Sequence, residues 1–139
     1  MKDRPFVGVW VDHRHALLFW ANEQAEVDMQ ELESEYQEEG EPGDAIRGPG
    51  GAGVAHASIE HRHKEQLKHY YKKLDHVLRP AQEIMVFGPG QAKKELATLL
   101  EQDKGFRARL RGVENADKKL THPQMVAAVK KFFELPRQK

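Results

Sequence analysis

The run Glu83-Ile84-Met85-Val86-Phe87, closed by Gly88-Pro89-Gly90, constrains this chain more than any other segment. It is short for a helix and too continuously apolar for a strand with one wet face, so it reads as a central strand buried on both sides. Such a strand needs a packed layer over each face, which points to a layered α/β architecture. The neighbouring segments can supply those layers. Ile59, His63, Leu67, Tyr70, Tyr71, Leu74, Val77 and Leu78 recur at three- and four-residue steps and predict one face of a helix that ends before Pro80. Ser58 stands where it can cap that helix, with Glu60 near its positive end. After the Gly-Pro-Gly turn, Leu96, Leu99 and Leu100 predict a second helix that stops near Gly105.

Three strands precede this unit. Phe6 to Asp12 and His15 to Ala21 are rich in Val, Trp, Phe and Leu around a polar Asp12-His13-Arg14 turn. Past Asn22-Glu23, the residues Ala25, Val27, Met29 and Leu32 partly alternate with acids, as in a half-exposed third strand. Residues 37–57 are Glu-rich and then Gly-rich, and read as one long loop, functional or disordered. Near the other end, Phe106, Ala108 and Leu110 alternate with Arg107, Arg109 and Arg111, which predicts a fifth strand with one apolar and one cationic side. Thr121-His122-Pro123-Gln124 opens a last helix with a capping box, and Met125, Val126, Val129, Phe132 and Phe133 form its apolar stripe. The order is βββαβαβα. Right-handed crossovers would set strands four and five parallel to strand one, giving a ribonuclease H-like, five-stranded mixed sheet with helices on its faces. No repeat or linker divides the chain, so residues 1–139 are expected to form a single domain.

The absence of cysteine excludes disulfides, thiolate metal sites and a cysteine nucleophile, and suits a reducing cytoplasm. No stretch approaches the roughly 20 apolar residues of a membrane helix, and the N-terminal apolar run is too short for a secretory signal. A soluble, cytoplasmic protein without membrane contact is expected. The formal charge of zero conceals a division: residues 1–44 hold 12 acids and 3 bases (−9), residues 45–139 hold 10 acids and 19 bases (+9). A basic pole of that kind suits an anionic partner such as nucleic acid, or a solvated face attracted to an acidic one.

Lys64, Lys68 and Lys72 share a helical face, and Arg107, Arg109 and Arg111 share one side of the predicted strand, so both rows are candidates for RNA phosphate contact. The alternative for such rows is solvation and protection of a sheet edge. The turn Gly88-Pro89-Gly90, with Gln91, Lys93 and Lys94 behind it, could offer amides to an anion at a helix N-terminus, although the spacing is not that of a P-loop and glycine here can serve packing alone. A nuclease would need converging carboxylates around metal ions. Asp12 and Glu60 are candidates, but the strand that ends at Gly88 brings no further acid. Among the eight histidines, His13 with His15 and His61 with His63 lie in His-Arg-His triplets whose spacing does not converge on one metal. No cofactor, metal site or catalytic constellation is assigned.

The element order, the Gly-rich loop before the long helix, and the segment Ile84-Met85-Val86-Phe87-Gly88-Pro89-Gly90-Gln91-Ala92-Lys93-Lys94-Glu95-Leu96 resemble the middle domain of archaeal and eukaryotic release factors and their Pelota relatives. The chain looks closer still to small bacterial members often labelled translational machinery proteins, and more distantly like host-attachment proteins. The resemblance implies a ribosome- or RNA-associated factor of translational rescue, hibernation or regulation, with rRNA or tRNA as its partner. In that family the loop carries Gly-Gly-Gln, which assists peptide release. Here the matching stretch is Gly50-Gly51-Ala52, so binding rather than catalysis is expected, with Gly48, Gly50, Gly51, Ala52 and Gly53 as a slim loop probe. Two other readings remain: an interaction module whose acidic strand and loop, Glu31 to Asp44, engage a basic protein, and a nuclease or hydrolase of the same fold.

Overall fold

The computed structural model describes residues 4–34 and 52–136, with side chains in the second stretch from residue 62 onward. The elements are β1 (Phe6–Val11), β2 (His15–Ala21), β3 (Val27–Glu33), α1 (Ala52–Val77), β4 (Glu83–Gly88), α2 (Ala92–Gln102), the short α3 (Lys104–Arg107), β5 (Leu110–Asn115) and α4 (His122–Phe132). The strands form one sheet in the order β3-β2-β1-β4-β5. β1–β2 and β2–β3 pair antiparallel, whereas β1–β4 and β4–β5 pair parallel. This is the expected five-stranded mixed sheet of ribonuclease H-like form. β4 lies at its interior, and Ile84 to Phe87 are buried, as their unbroken apolar character requires.

The two faces are covered unequally. On one, Val7, Val9, Leu18, Trp20, Ile84 and Val86 pack beneath Tyr70 and Leu74 of α1, Leu78 just past its end, and Leu96 and Leu100 of α2. On the other, Trp10, Leu17, Phe19, Met85 and Phe87 are closed by Met125 and Val129 of α4. That helix starts as expected: the Thr121 hydroxyl accepts from Gln124 N at 3.2 Å, and Gln124 Oε1 accepts from Thr121 N at 2.9 Å. It lies so close to β1 that a Cβ on Gly8 would stand 2.2 Å from Val129 Cγ2.

Two expected boundaries are corrected. The helix assigned to begin at Ser58 begins at Ala52, so Ser58 and Glu60 are interior positions, and the long loop cannot extend to 57. Ala52, Ala55 and Ala57 have the highest intrinsic helix propensity, and once a long helix is nucleated, one glycine at 53 costs only about 1 kcal/mol. The remainder of the expected loop, Gly48, Gly50 and Gly51 included, lies outside the described residues.

The expected fifth strand over 106–111 is the second correction. Its first half is α3, and β5 starts only at Leu110. Asp103 caps α3 by accepting from Gly105 N at 2.9 Å, while Phe106 is drawn fully into the core and Ala108 stays exposed. The alternation of apolar and basic residues imitated a strand, but a capped turn that buries one large ring was the lower-energy solution.

Candidate nucleic-acid interface

Helix α1 carries the clearest cationic surface. Lys64, Lys68 and Lys72 sit one turn apart and are exposed, on the side away from buried Tyr70, Leu74 and Leu78. Four-residue steps keep the three ammonium groups in a row about 12 Å long. None of the three makes an ion pair or side-chain hydrogen bond among the described residues. Lys73 extends this charge toward β3, where with His69, Lys72 and His76 it rims a cleft floored by Leu32 and Val77. Sequence reading missed this cleft because nothing local joins α1 to β3.

The arginine row does not exist as expected. Only Arg111 belongs to β5; Arg107 ends α3, and Arg109 lies between the two elements. Arg107 Nε donates to Glu101 O at 3.3 Å. Arg109 Nη1 donates to Arg79 O at 2.9 Å and Ala81 O at 3.2 Å, and its guanidinium lies 5.5 Å from the centre of the Phe106 ring. Arg111 pairs with Glu83 at 3.3 Å. Arg109 therefore ties the turn after α1 to the start of β5, a task any fixed phosphate contact would interrupt.

The turn after β4 is also spent internally. Gly88 has φ +147, and a Cβ there would stand 2.4 Å from Val11 O, so its glycine serves backbone packing. Gly90, at φ +66, and Gln91 are exposed, but Gln91 caps α2 without a side-chain bond. Lys93 is 4% exposed and turns back to donate to Gly90 O at 2.6 Å. Burial, then the neighbouring Lys94 charge, lowers its pKa. The charge intended for an anion thus closes the turn.

At the same end of the sheet, Asp12 accepts from Arg14 N at 2.8 Å and His15 N at 2.9 Å, shaping the β1–β2 turn rather than awaiting a metal. Tyr70 donates to Asp12 O at 3.1 Å, and its phenol is pushed upward by burial and then by the Asp12 charge. Glu95 accepts from Tyr71 at 2.6 Å and meets His13 Nε2 at 3.0 Å, a link between the β1–β2 turn, α1 and α2 with no local sequence signal. Among the described residues no cluster of His, Asp or Glu could hold a metal ion, and no helix is long and apolar enough to cross a membrane.

The backbone superposes on a crystal structure of the archaeal translation termination factor aRF1 with TM-score 0.54 and 15% identity. The fold is one found in a termination factor. The match covers 93% of this chain and 39% of that one. A second structure, described only as an archaeal protein, matches with TM-score 0.53 and 19% identity over 94% of this chain and 34% of its own length. The chain thus spans well under half of either neighbour. No family model and no curated protein matches its sequence.

Proposed function

We propose that this chain is a translation-associated RNA-binding factor that engages ribosomal or transfer RNA through the exposed face of α1 and acts by binding rather than hydrolysis. The observation that carries this reading is the row Lys64, Lys68 and Lys72, exposed and without partners among the described residues, on a fold also found in a termination factor. Unpaired lysines can exchange counterions for phosphates without first breaking an internal bond. Arg107 and Arg111 are exposed and contribute less, since each must leave an existing acceptor. The sequence resemblance matches Gly50-Gly51-Ala52 to the Gly-Gly-Gln of release factors, and alanine in place of glutamine supports binding over peptide release. Gly48, Gly50 and Gly51, directly before α1, serve in this proposal as the slim segment that enters an RNA-lined site.

The test is binding to structured and single-stranded RNA, and co-sedimentation with ribosomes, across a salt series. Affinity should fall steeply with salt, and combined Lys64→Glu, Lys68→Glu and Lys72→Glu should lower the log–log slope on single-stranded RNA by about 2, the loss of three phosphate contacts. Salt-independent binding, or an unchanged slope in the triple variant, would remove the proposal.

A further inference from the structure

β3 forms one edge of the sheet, and two hydrogen bonds determine which of its backbone groups face outward. Asn22 N donates to Glu26 O at 3.2 Å, and Ser34 N donates to Arg14 O at 2.8 Å. An antiparallel ladder alternates bonded and non-bonded pairs. Asp28, Gln30 and Leu32 therefore direct their amides and carbonyls to β2, while Val27, Met29, Glu31 and Glu33 direct theirs away from the sheet. None of those four makes an outward backbone bond among the described residues. The strand pairs with β2 over seven residues without a register break and contains no proline, whereas the opposite edge has an irregularity at Ile84/Met85. Met29 is 47% exposed. Of the devices that keep an edge from associating, this one has charged side chains but neither shortness, a bulge nor a proline, so its backbone groups stay accessible to a strand of complementary charge.

The surroundings of this edge are charged with opposite sign on its two sides. Toward α1 lies the cleft of Leu32, Val77, His69, Lys72, Lys73 and His76, whose four basic side chains have no partner among the described residues. On the opposite face of the strand, Glu31 and Glu33 are exposed and likewise unpaired.

We propose that the β3 edge accepts an extended segment of a partner protein as a sixth strand. Residues of that segment alternate, acidic or apolar toward α1 and basic toward Glu31 and Glu33. Main-chain bonds would supply affinity, and the alternating side chains would supply selectivity. A phosphate backbone fits this edge poorly, because it would lie against two carboxylates and leave the strand's amides and carbonyls without a matching ladder. A second copy fits poorly too, since antiparallel β3–β3 pairing gathers Glu31 and Glu33 of both copies on one face. The proposal goes beyond the RNA reading and shares only Lys72 with it.

The probe is a short fluorescein-labelled peptide alternating Glu and Lys. It is compared with a peptide of the same composition in two charge blocks, and with an alternating peptide N-methylated at every second residue. The alternating peptide should bind the whole chain about tenfold more tightly than the block peptide, with the difference reduced by Lys73→Glu. N-methylation in the phase that removes the ladder donors should abolish binding. The bound peptide should slow hydrogen exchange at the amides of Met29 and Glu31 while leaving Gln30, already paired, unchanged. Equal binding of alternating and block peptides, or unaltered exchange at Met29 and Glu31, would overturn the proposal. So would the same protection given by single-stranded RNA, or protection that rises with protein concentration alone.

Discussion

Gly8 marks the closest approach between the sheet and α4. Because its missing Cβ would overlap Val129 Cγ2, Gly8→Ala should force α4 outward and cost about 1–3 kcal/mol, read as a lower urea midpoint. Combining it with Val129→Ala should recover part of that loss, since the two changes share one contact. A second residue-scale prediction concerns Arg79, whose Nη2 lies 2.7 Å from Asp75 Oδ1 and 2.9 Å from Asp103 Oδ2. The Gly105 amide, which outweighs the opposing effect of burial and is helped by Arg79 and the neighbouring Asp75, holds the Asp103 carboxyl below the usual range. A depressed folded pKa means stability that is present above the ordinary carboxylate value and lost as pH falls through the folded one. Asp103→Asn should therefore lower Tm most near neutral pH, and the difference should vanish in strong acid. Asp75 has the opposite sign, because burial, only partly offset by Arg79, raises its pKa and favours its protonation in the folded state. Thermal melts of Asp103→Asn across acid pH separate the two groups.

Among the elements, α3 and β5 give the clearest separation between an arginine that builds the fold and one that rests on it. Arg109 donates to two carbonyls and covers Phe106, which is fully buried. Arg111 makes a single ion pair between side chains 53% and 36% exposed. Arg109→Met should destabilise by about 1–2 kcal/mol, because it leaves two acceptors without their donor. Arg111→Met should change stability by less than about 1 kcal/mol, the range of exposed ion pairs. Denaturant midpoints of the two variants measure the difference. Comparable losses would mean that Arg111 is held more firmly than its exposure indicates.

For the whole molecule, the layered arrangement predicts a gradient of local stability. β1, β2 and β4 are interior strands with both faces covered, whereas β3 and β5 each have, among the described residues, one unpaired edge. Native-state hydrogen exchange should be slowest at Val9, Leu18 and Val86. In the free protein, β3 should show an alternating pattern, slower at Asp28, Gln30 and Leu32 and faster at Met29 and Glu31. Uniform exchange along β3 would contradict the assigned direction of its backbone groups. The same layering sets two surfaces side by side: the exposed lysines of α1 and, with Lys72 shared between them, the β3 edge, whose outward backbone groups are unbonded among the described residues.

The sequence by itself determined β1 to β4 and the helices α1, α2 and α4, though not the start of α1 or the bounds of β5, because hydrophobic period is a local property. The apolar run Ile84 to Phe87, the helical recurrence from His63 to Leu78 and the capping box at Thr121 each predict an element that is present. It also identified the lysine row, since residues four apart on a helix share a face whatever packs beneath. The resemblance carried by the β4–α2 segment agrees with the fold of the structural neighbours. Tertiary structure decided the rest. Arg107, Arg109 and Arg111 follow a strand period, yet burial of Phe106 and the Asp103 cap turn the first half of that segment into α3, and backbone carbonyls and Glu83 take up the three guanidinium groups. Lys93 turns inward, and His13 meets Glu95 across 82 positions of chain. The cleft between α1 and β3 exists only once the sheet order places those elements side by side. Local pattern can assign a residue its face, but which groups remain unpaired depends on partners far away in the chain.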